Sequence, residues 1–317
     1  MLGYFARRIA FAAVLVFTVS SASLVLAHLA PGDYVTTTLG IDARQETVAR
    51  TRARYGLDRP FAVQYRDWIV RAARLDFGRS LLYDAPVGAL IRERAENTAV
   101  LAATALLLAT LVGLPLGVFT GSRRGGALAN AIRSLSIVML SLPPLLTSLA
   151  LVFLAARTGW FPVGGMRSAG AASSGVADLA RHLVVPVVAL ALPIAAMFER
   201  LQAQAMAEVI GQPYVLAALA RGVPRGRVVW RDALKAALGP ATAVYGLVVG
   251  SLLSGSFAVE MVASWPGLGR LMLDALRARD VYLVAGCAAA GSVFLAAGTL
   301  LSDVALALVD PRTGHAG

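Results

Sequence analysis

The chain has 317 residues, of which 58% are hydrophobic and 15% are charged, and its mean hydropathy is +0.71. Soluble domains carry about 25% charged residues on average, so the composition excludes an ordinary soluble protein and predicts several membrane-spanning segments. The net charge of +11 rests on arginine, since Lys235 is the only lysine; basic chains often bind nucleic acid, but membrane topology explains much of this excess and we expect no nucleic-acid partner.

The first apolar run covers residues 9–30 and follows Arg7 and Arg8. It has about the length needed to cross a ~30 Å hydrocarbon core. A cleaved signal peptide is the alternative, but the apolar part of such a peptide usually has about 7–15 residues. We therefore predict an uncleaved first span with the N-terminus in the cytoplasm.

A polar, arginine-rich stretch over residues 31–96 predicts an extracytoplasmic helical loop. Within it, Phe61, Tyr65, Trp68 and Ile69 recur at the spacing of one helix face. Aromatic faces of this kind more often pack on a neighbouring element than bind a ligand. We predict that this one packs.

Five further apolar runs predict five more spans. Asn97 or Thr98 stands where it could cap the first of them. Small residues such as Gly250 and Gly255 have the spacing of a close helix contact. The predicted spans cover about residues 97–121, 134–156, 183–203, 241–262 and 283–308.

The prolines Pro143 and Pro144 interrupt the span predicted over residues 134–156. In a membrane, breaks in the helical hydrogen-bond ladder persist where the backbone is buried in protein or lines a cavity. We interpret the pair as a kink that faces the transport pathway, with simple packing as the alternative.

Three acidic residues, Glu199, Glu260 and Asp303, lie near the ends of predicted spans. Charge within a membrane is costly and usually faces a cavity or a partner. We favour structural pairing, with hydration or an arginine partner, over the alternative of a proton or cation relay. Glu260 and Asp303 are also candidates for pathway or gating residues.

A polar island over residues 204–240 separates two apolar runs and is rich in arginine. Pro213 can open a helix at its first turn, and Gly222 followed by Pro224 can end it. A second short helix is predicted from Val228 to Leu238. We expect two short helices around a glycine turn, lying at the membrane surface.

This island resembles a loop of bacterial ABC importers. The spacing Ala217-Ala218-x-x-x-Gly222 is similar to the core of the loop in their membrane subunits that contacts the ATPase. The resemblance is closest to the oligopeptide/dipeptide (and nickel) permease branch and covers nearly the full chain. It is carried further by Tyr214-Val215, Ala220 and Pro240, by Tyr55-Gly56-Leu57-Asp58-x-Pro60, by Gly255-Ser256-x-x-x-Glu260, by Trp265-Pro266-Gly267-Leu268-Gly269 and by Asp310-Pro311-Arg312.

The resemblance implies a type I ABC importer transmembrane domain, a single permease domain over residues 1–317 with six transmembrane helices and both termini cytoplasmic. It implies that the cytoplasmic loop 204–240 docks into a groove of a separate ATPase. The implied partners are a second homologous permease subunit, two cytosolic ABC ATPases, an extracytoplasmic substrate-binding protein and the lipid of the bacterial cytoplasmic membrane. The implied coupling residues are Tyr214, Val215, Leu216, Ala217, Ala218, Ala220, Arg221, Gly222 and Pro224.

The sequence contains no recognisable motif of an enzyme active site. A phosphate-binding loop needs a lysine after glycine, and Lys235 stands between Leu234 and Ala236. The histidines have no metal-ligand spacing, and the single cysteine, Cys287, excludes an internal disulfide or a zinc cluster. We expect no catalytic residue, metal or cofactor in this chain, with ATP and Mg²⁺ in the partner ATPases.

Two classes of function remain from the sequence. The first is one half of an ABC importer channel for short peptides, with nickel or another small solute as a close alternative. The second is a transporter driven by an ion gradient, or a membrane scaffold that transports nothing. A gradient-driven transporter would be expected to show internal repeats and paired broken helices, and we find no convincing repeat in six uneven spans.

Overall fold

The computed structural model describes residues 2–39, 43–123, 125–168 and 175–309, with side chains in the same ranges except 2–5, 253–254 and 302–309. The described part is built from helices joined by short connections, and no strand occurs in it. The helices are α1 Leu2–Leu29, α2 Tyr34–Leu39, α3 Gln45–Tyr55, α4 Phe61–Ala72, α5 Val87–Gly121, α6 Ala127–Ser141, α7 Pro144–Thr158, α8 Val176–Ile210, α9 Pro213–Ala220, α10 Arg225–Arg227, a π-helical turn Val228–Ala233, α11 Leu234–Ala237, α12 Gly239–Ala243, α13 Tyr245–Val262, α14 Leu268–Ala278 and α15 Val281–Val309.

Five of the described helices, α1, α5, α8, α13 and α15, have the length and apolar composition to cross a membrane, and α6 with α7 makes a sixth span if the bent pair is counted as one. The prediction of an all-helical membrane protein is confirmed. Several helices extend beyond the predicted spans, because polar turns continue the helix outside the apolar run.

The chain folds into two compact units. The first unit contains residues 1–98 and 266–294, and the second contains residues 99–265 and 295–317. The boundaries of the single permease domain and the sidedness of its loops stay predictions.

The core of the first unit forms around Trp68 of α4 and the start of α15. Trp68 and Leu283 are fully buried there, and Tyr65 and Ile69 pack against the same cluster. Phe61 stacks on His28 with ring centroids 4.1 Å apart. The aromatic face of α4 therefore packs within the protein, as predicted.

Asn97 and Thr98 do not cap a helix. Helix α5 already begins at Val87, so both residues lie inside it. The Asn97 side chain donates to the Pro266 carbonyl at 2.8 Å, and the Thr98 hydroxyl accepts from the Leu268 backbone amide at 2.8 Å. The prediction of a cap was wrong because α5 begins before these residues. Their side chains bond instead to backbone groups that lie far away in the sequence.

An ion pair between Asp33 and Arg52 fixes the segment after α1. The Arg52 guanidinium donates to the Asp33 carboxylate at 2.6 Å, and Thr36 donates to the same carboxylate through its backbone amide and its hydroxyl. Partial burial raises the pKa of Asp33, but the hydrogen bonds from Arg52 and Thr36 outweigh it and leave the pKa below its usual value.

Helix α8 is the central element of the second unit, where it packs against α6, α7 and α13. Its residues Leu190 and Phe198 join Leu252 and Trp265 in the larger apolar cluster of this unit. Pro186 and Pro193 lie within α8 and do not end it.

Three glycines spaced four residues apart let α5 approach α8 closely. A Cβ atom built on Gly113 would lie 2.5 Å from the Ala195 carbonyl oxygen, and one on Gly117 would lie 2.6 Å from the Glu199 carbonyl oxygen. A Cβ on Gly121 would overlap Ala203 in the same way. The backbones are in contact, as in other membrane helix pairs with small residues at this spacing.

The break at Pro143 and Pro144 is much larger than a kink. Helices α6 and α7 have 15 residues each and meet at an angle of 104°. Leu142 and Pro143 are extended, and Pro144 is the first residue of α7. Two successive prolines remove two backbone donors and restrict the residue before each ring, so the helix ends and a new one starts.

Candidate functional site

Helix α9 has the start and the end that the sequence predicts. Pro213 occupies its first turn, where a missing N–H costs nothing. At the other end, Gly222 has a φ of +81°, its amide donates to the Leu219 carbonyl at 3.0 Å and the Val223 amide donates to the Ala218 carbonyl at 3.2 Å. This pair of bonds is a Schellman motif, which needs a left-handed residue after the cap and therefore favours glycine.

One face of α9 is anchored and the other is open. Val215 is only 1% exposed. Tyr214 and Leu216, on either side of it, are 51% and 52% exposed. The remaining predicted coupling residues are also accessible: Ala217, Ala220, Arg221, Gly222 and Pro224 are exposed, and Ala218 is half-buried.

The second helical stretch of the island starts earlier than predicted and is not a regular α-helix. Pro224 precedes α10, and the chain then passes through the π-helical turn Val228–Ala233 into α11. Buried side chains of this stretch form a separate apolar cluster with the ends of α5 and α8. Its buried members are Val118, Ala205, Met206, Val229, Ala233 and Ala237.

A cavity of about 640 Å³ lies beside α9. Leu216 and Leu219 of α9 line it, together with Gly121 at the end of α5 and Arg133 of α6. Arg225 also lines it, and its guanidinium donates to the Ser122 carbonyl at 2.9 Å. This contact could not be predicted from the sequence, since the two residues are 103 positions apart.

The side chain of Glu199 is buried between α5 and α8. It is 1% exposed, and the Thr120 hydroxyl donates to its Oε1 at 2.5 Å. Helix α8 continues to Ile210, so Glu199 lies inside the helix, and its position near the end of a membrane span stays a prediction. Glu199 Oε2 and both polar atoms of the Gln202 side chain have no hydrogen-bond partner among the described residues.

The predicted pathway and gating residues are not brought into one site by the described contacts. Glu260 is fully buried in the last turn of α13. Pro143 is exposed and Pro144 is half-buried at the α6–α7 break. The side chain of Asp303 lies outside the described residues. The roles of these four residues stay predictions.

Among the described residues, no group of three or more His, Cys, Asp or Glu side chains is arranged to hold a metal ion.

Comparison with known proteins places the whole chain in one family. Residues 113–315 match the family of binding-protein-dependent transport system inner membrane components, and residues 1–101 match the N-terminal region of these membrane components. These matches support a transport subunit over an enzyme, a scaffold or a self-sufficient gradient-driven transporter.

Curated relatives align over almost the full length. The chain is 31% identical over 314 residues to the oligopeptide transport system permease protein AppB of Bacillus subtilis, which covers 98% of this chain and 99% of the relative. It is 31% identical over 316 residues to a putative peptide permease protein of Brucella suis, with 98% and 99% coverage. It is 32% identical over 310 residues to a probable peptide ABC transporter permease protein of Sinorhizobium fredii, with 98% coverage of both chains. The chain therefore belongs to the family of binding-protein-dependent transport system inner membrane components.

Proposed function

We propose that this chain is a permease subunit that imports short peptides across the bacterial cytoplasmic membrane, driven by separate ATPases. The relatives described above are named for oligopeptide or peptide transport. Their names favour peptides over nickel as the substrate class. The chain is a multi-pass protein of the cytoplasmic membrane.

The observation that carries the coupling role is the construction of α9. A helix that transmits movement from an ATPase must be rigid. Helix α9 has a proline at its start, a Schellman motif at its end and the buried Val215 between them. It must also present a surface, and Tyr214 and Leu216 are half-exposed on it. Exposed apolar side chains of this size are typical of protein interaction sites when they are grouped.

Each ATPase would grip one such helix, on this chain and on a second homologous permease subunit. Closure of the ATPases around ATP and Mg²⁺ would move α9 and open the channel outward to receive peptide from an extracytoplasmic binding protein. Hydrolysis would reset the channel. Exposed leucine and phenylalanine side chains on α6 and α7, including Leu135 and Phe153, leave surface for lipid and for the second subunit.

Sidedness follows from this mechanism, with residues 204–240 in the cytoplasm and residues 31–96 outside. The single native cysteine, Cys287, is buried, so an engineered thiol can be labelled on a nearly silent background. We expect Leu216→Cys to react with a membrane-impermeant maleimide only after the cells are permeabilised. Arg50→Cys on α3, an exposed residue, should react in intact cells. The reverse pattern would exclude the proposed function.

Docking is tested by Ala217→Trp, which places a large ring on the open face of α9. We expect the tagged variant to insert normally and to recover the second permease on purification, but to lose the two ATPases and peptide uptake. Ala49→Trp is the matched control, because Ala49 is an exposed alanine on another short helix, α3, and ATPase recovery should stay at the wild-type level. Full uptake by the Ala217→Trp variant would contradict a docking role for α9.

A further inference from the structure

The hydrogen bond between Arg225 and Ser122 joins the coupling segment, residues 204–240, to the end of α5. We propose that Arg225 is a positioning residue that transmits movement of the coupling segment to α5 and, through α5, to α6 and α8. The inference rests on the proposed function, because it assigns a path for the movement that docked ATPases would produce. It concerns contacts inside this chain and not the ATPase surface.

The end of α5 is chemically suited to hold arginine. The last carbonyl groups of a helix have no partner within the helix and carry its partial negative charge. Here the Ser122 carbonyl accepts from Arg225 at 2.9 Å, and the Thr120 carbonyl accepts from Arg133 of α6 at 2.5 Å. Arg133 also donates to the Arg123 carbonyl at 3.1 Å. Two guanidinium groups, one from the coupling segment and one from α6, therefore hold the same helix end.

Cavities lie on two sides of the contact between Arg225 and Ser122. The cavity of about 640 Å³ lies on the α9 side, and a second cavity of about 370 Å³ is bordered by Phe119 and Trp230. Ser122, Arg225 and Val229 line both cavities. The coupling segment thus approaches the end of α5 across a narrow contact with open space on two sides.

Within the described ranges, the bond between Arg225 and Ser122 is the one hydrogen bond that joins the coupling segment to a part of the chain distant in sequence. The coupling segment is also held by apolar packing, through Val229 against Val118 of α5 and Met206 of α8. Apolar packing resists separation but has little directional preference. The guanidinium bond adds direction, because its geometry is lost when donor and acceptor turn away from each other.

The contact continues beyond α5. The hydroxyl of Thr120, in the last turn of α5, donates a hydrogen bond to the carboxylate of the buried Glu199 of α8 at 2.5 Å. Its carbonyl is the group held by Arg133 of α6. A displacement of Arg225 therefore reaches two helices of the second unit through one turn of α5, by bonds that each have a defined direction.

The test compares Arg225→Gln with a matched control, Arg227→Gln. Arg227 is also exposed and lies in the same short helix, but its side chain makes no hydrogen bond or ion pair with any described residue. Each variant is purified as the full complex with its second permease and ATPases, and reconstituted in proteoliposomes with the binding protein. Peptide uptake and ATP hydrolysis are measured in the same sample, and ATPase recovery is measured on the purified complex.

We expect Arg225→Gln to keep ATPase recovery and ATP hydrolysis within about twofold of wild type and to lower peptide imported per ATP by about tenfold, a change ordinary for coupling between sites. Arg225→Lys, which keeps one charged donor, should recover part of the loss, and Arg227→Gln should stay within about twofold on all three measurements. Unchanged import per ATP in Arg225→Gln would overturn the inference. Loss of ATPase recovery in that variant would also overturn it, by assigning Arg225 to the docking surface. Failure of the wild-type chain to recover ATPases would instead reject the proposed function.

Discussion

Asp280 of the first unit and Glu199 of the second are both buried carboxylates, but they are held in contrasting ways. Asp280 in the first unit is fully buried, and its carboxylate accepts from the Ser80 hydroxyl at 2.6 Å and from the backbone amides of Leu82 and Leu283 at 3.0 and 3.1 Å. Glu199 in the second unit accepts from the Thr120 hydroxyl alone among the described hydrogen bonds, and the neighbouring Gln202 has none.

The number of hydrogen bonds indicates that the region around Asp280 is held rigidly, whereas the region around Glu199 is held more loosely. Asp280 directly precedes α15 and bonds to residues 80–82 as well as to Leu283, so any movement there breaks several hydrogen bonds at once. Glu199 and Gln202 lie where the glycines of α5 meet α8, and a shift of one helix there loses few bonds. A buried polar group without a hydrogen-bond partner destabilises the conformation that buries it. We therefore expect the region around Glu199 and Gln202 to change conformation during transport.

The largest expected effect on stability is at Asp280. Replacing Asp280 with leucine leaves the Ser80 hydroxyl and the Leu82 and Leu283 amides without their acceptor, so we expect the free energy of unfolding to fall by about 3 to 5 kcal/mol. The buried thiol of Cys287 packs in the same apolar cluster as Leu283, and a fluorogenic maleimide would report its exposure on heating. Asp58→Ala at an exposed position should change stability by less than about 0.5 kcal/mol. A similar small change for Asp280→Leu would contradict the comparison.

A smaller effect is expected where α5 crosses α8. Gly117→Ala forces a methyl group to within 2.6 Å of the Glu199 carbonyl and the Gln202 Cβ, and overpacking of this kind costs about 1 to 3 kcal/mol. Gly255→Ala is the control, because its nearest neighbours, Leu190 and Pro144, lie at 3.6 and 3.8 Å. There alanine should be neutral or should stabilise the helix by up to about 1 kcal/mol. The stability of both variants can be measured by the loss of helical circular dichroism in SDS titrations. Equal stability of the two variants would contradict close packing of α5 on α8 at Gly117.

The smallest effect has the opposite sign. Gln202→Leu removes buried polar atoms that have no described partner, so we expect it to stabilise the protein by about 1 kcal/mol. Gln204→Leu, two residues away at an exposed position, should change stability by less than about 0.5 kcal/mol. The same SDS titration applies. Destabilisation by Gln202→Leu would mean that a bound water or ion holds the amide, and the contrast with Asp280 would then weaken.

Elements governed by local chemistry were predictable from the sequence. The start of α9 at Pro213 and its end before Gly222 follow from backbone restrictions of proline and glycine, which act wherever those residues occur. The membrane spans follow from the length of the apolar runs, and the aromatic face of α4 follows from helical spacing.

Features that depend on distant partners were not predictable in the same way. Asn97 and Thr98 have the side chains of a helix cap, but their partners at Pro266 and Leu268 place them inside α5. The spacing of Gly113, Gly117 and Gly121 is visible in the sequence as a small-residue pattern, but close helix packing was predicted for the fifth span and not for this one. For the fifth span, the structure does show close contact at Gly250, where a Cβ would lie 2.7 Å from Leu295.

The sequence by itself determined the class of the protein, the number of apolar runs, the position of the proline break and the ends of α9. These depend on hydropathy and on backbone restrictions within a few residues, and both are properties of the local sequence. Tertiary structure decided the 104° angle between α6 and α7, the burial of Glu199 beside Thr120, and the placement of Arg225 at the end of α5. Those features arise from contacts between residues far apart in the chain, whose distances are fixed only when the helices pack.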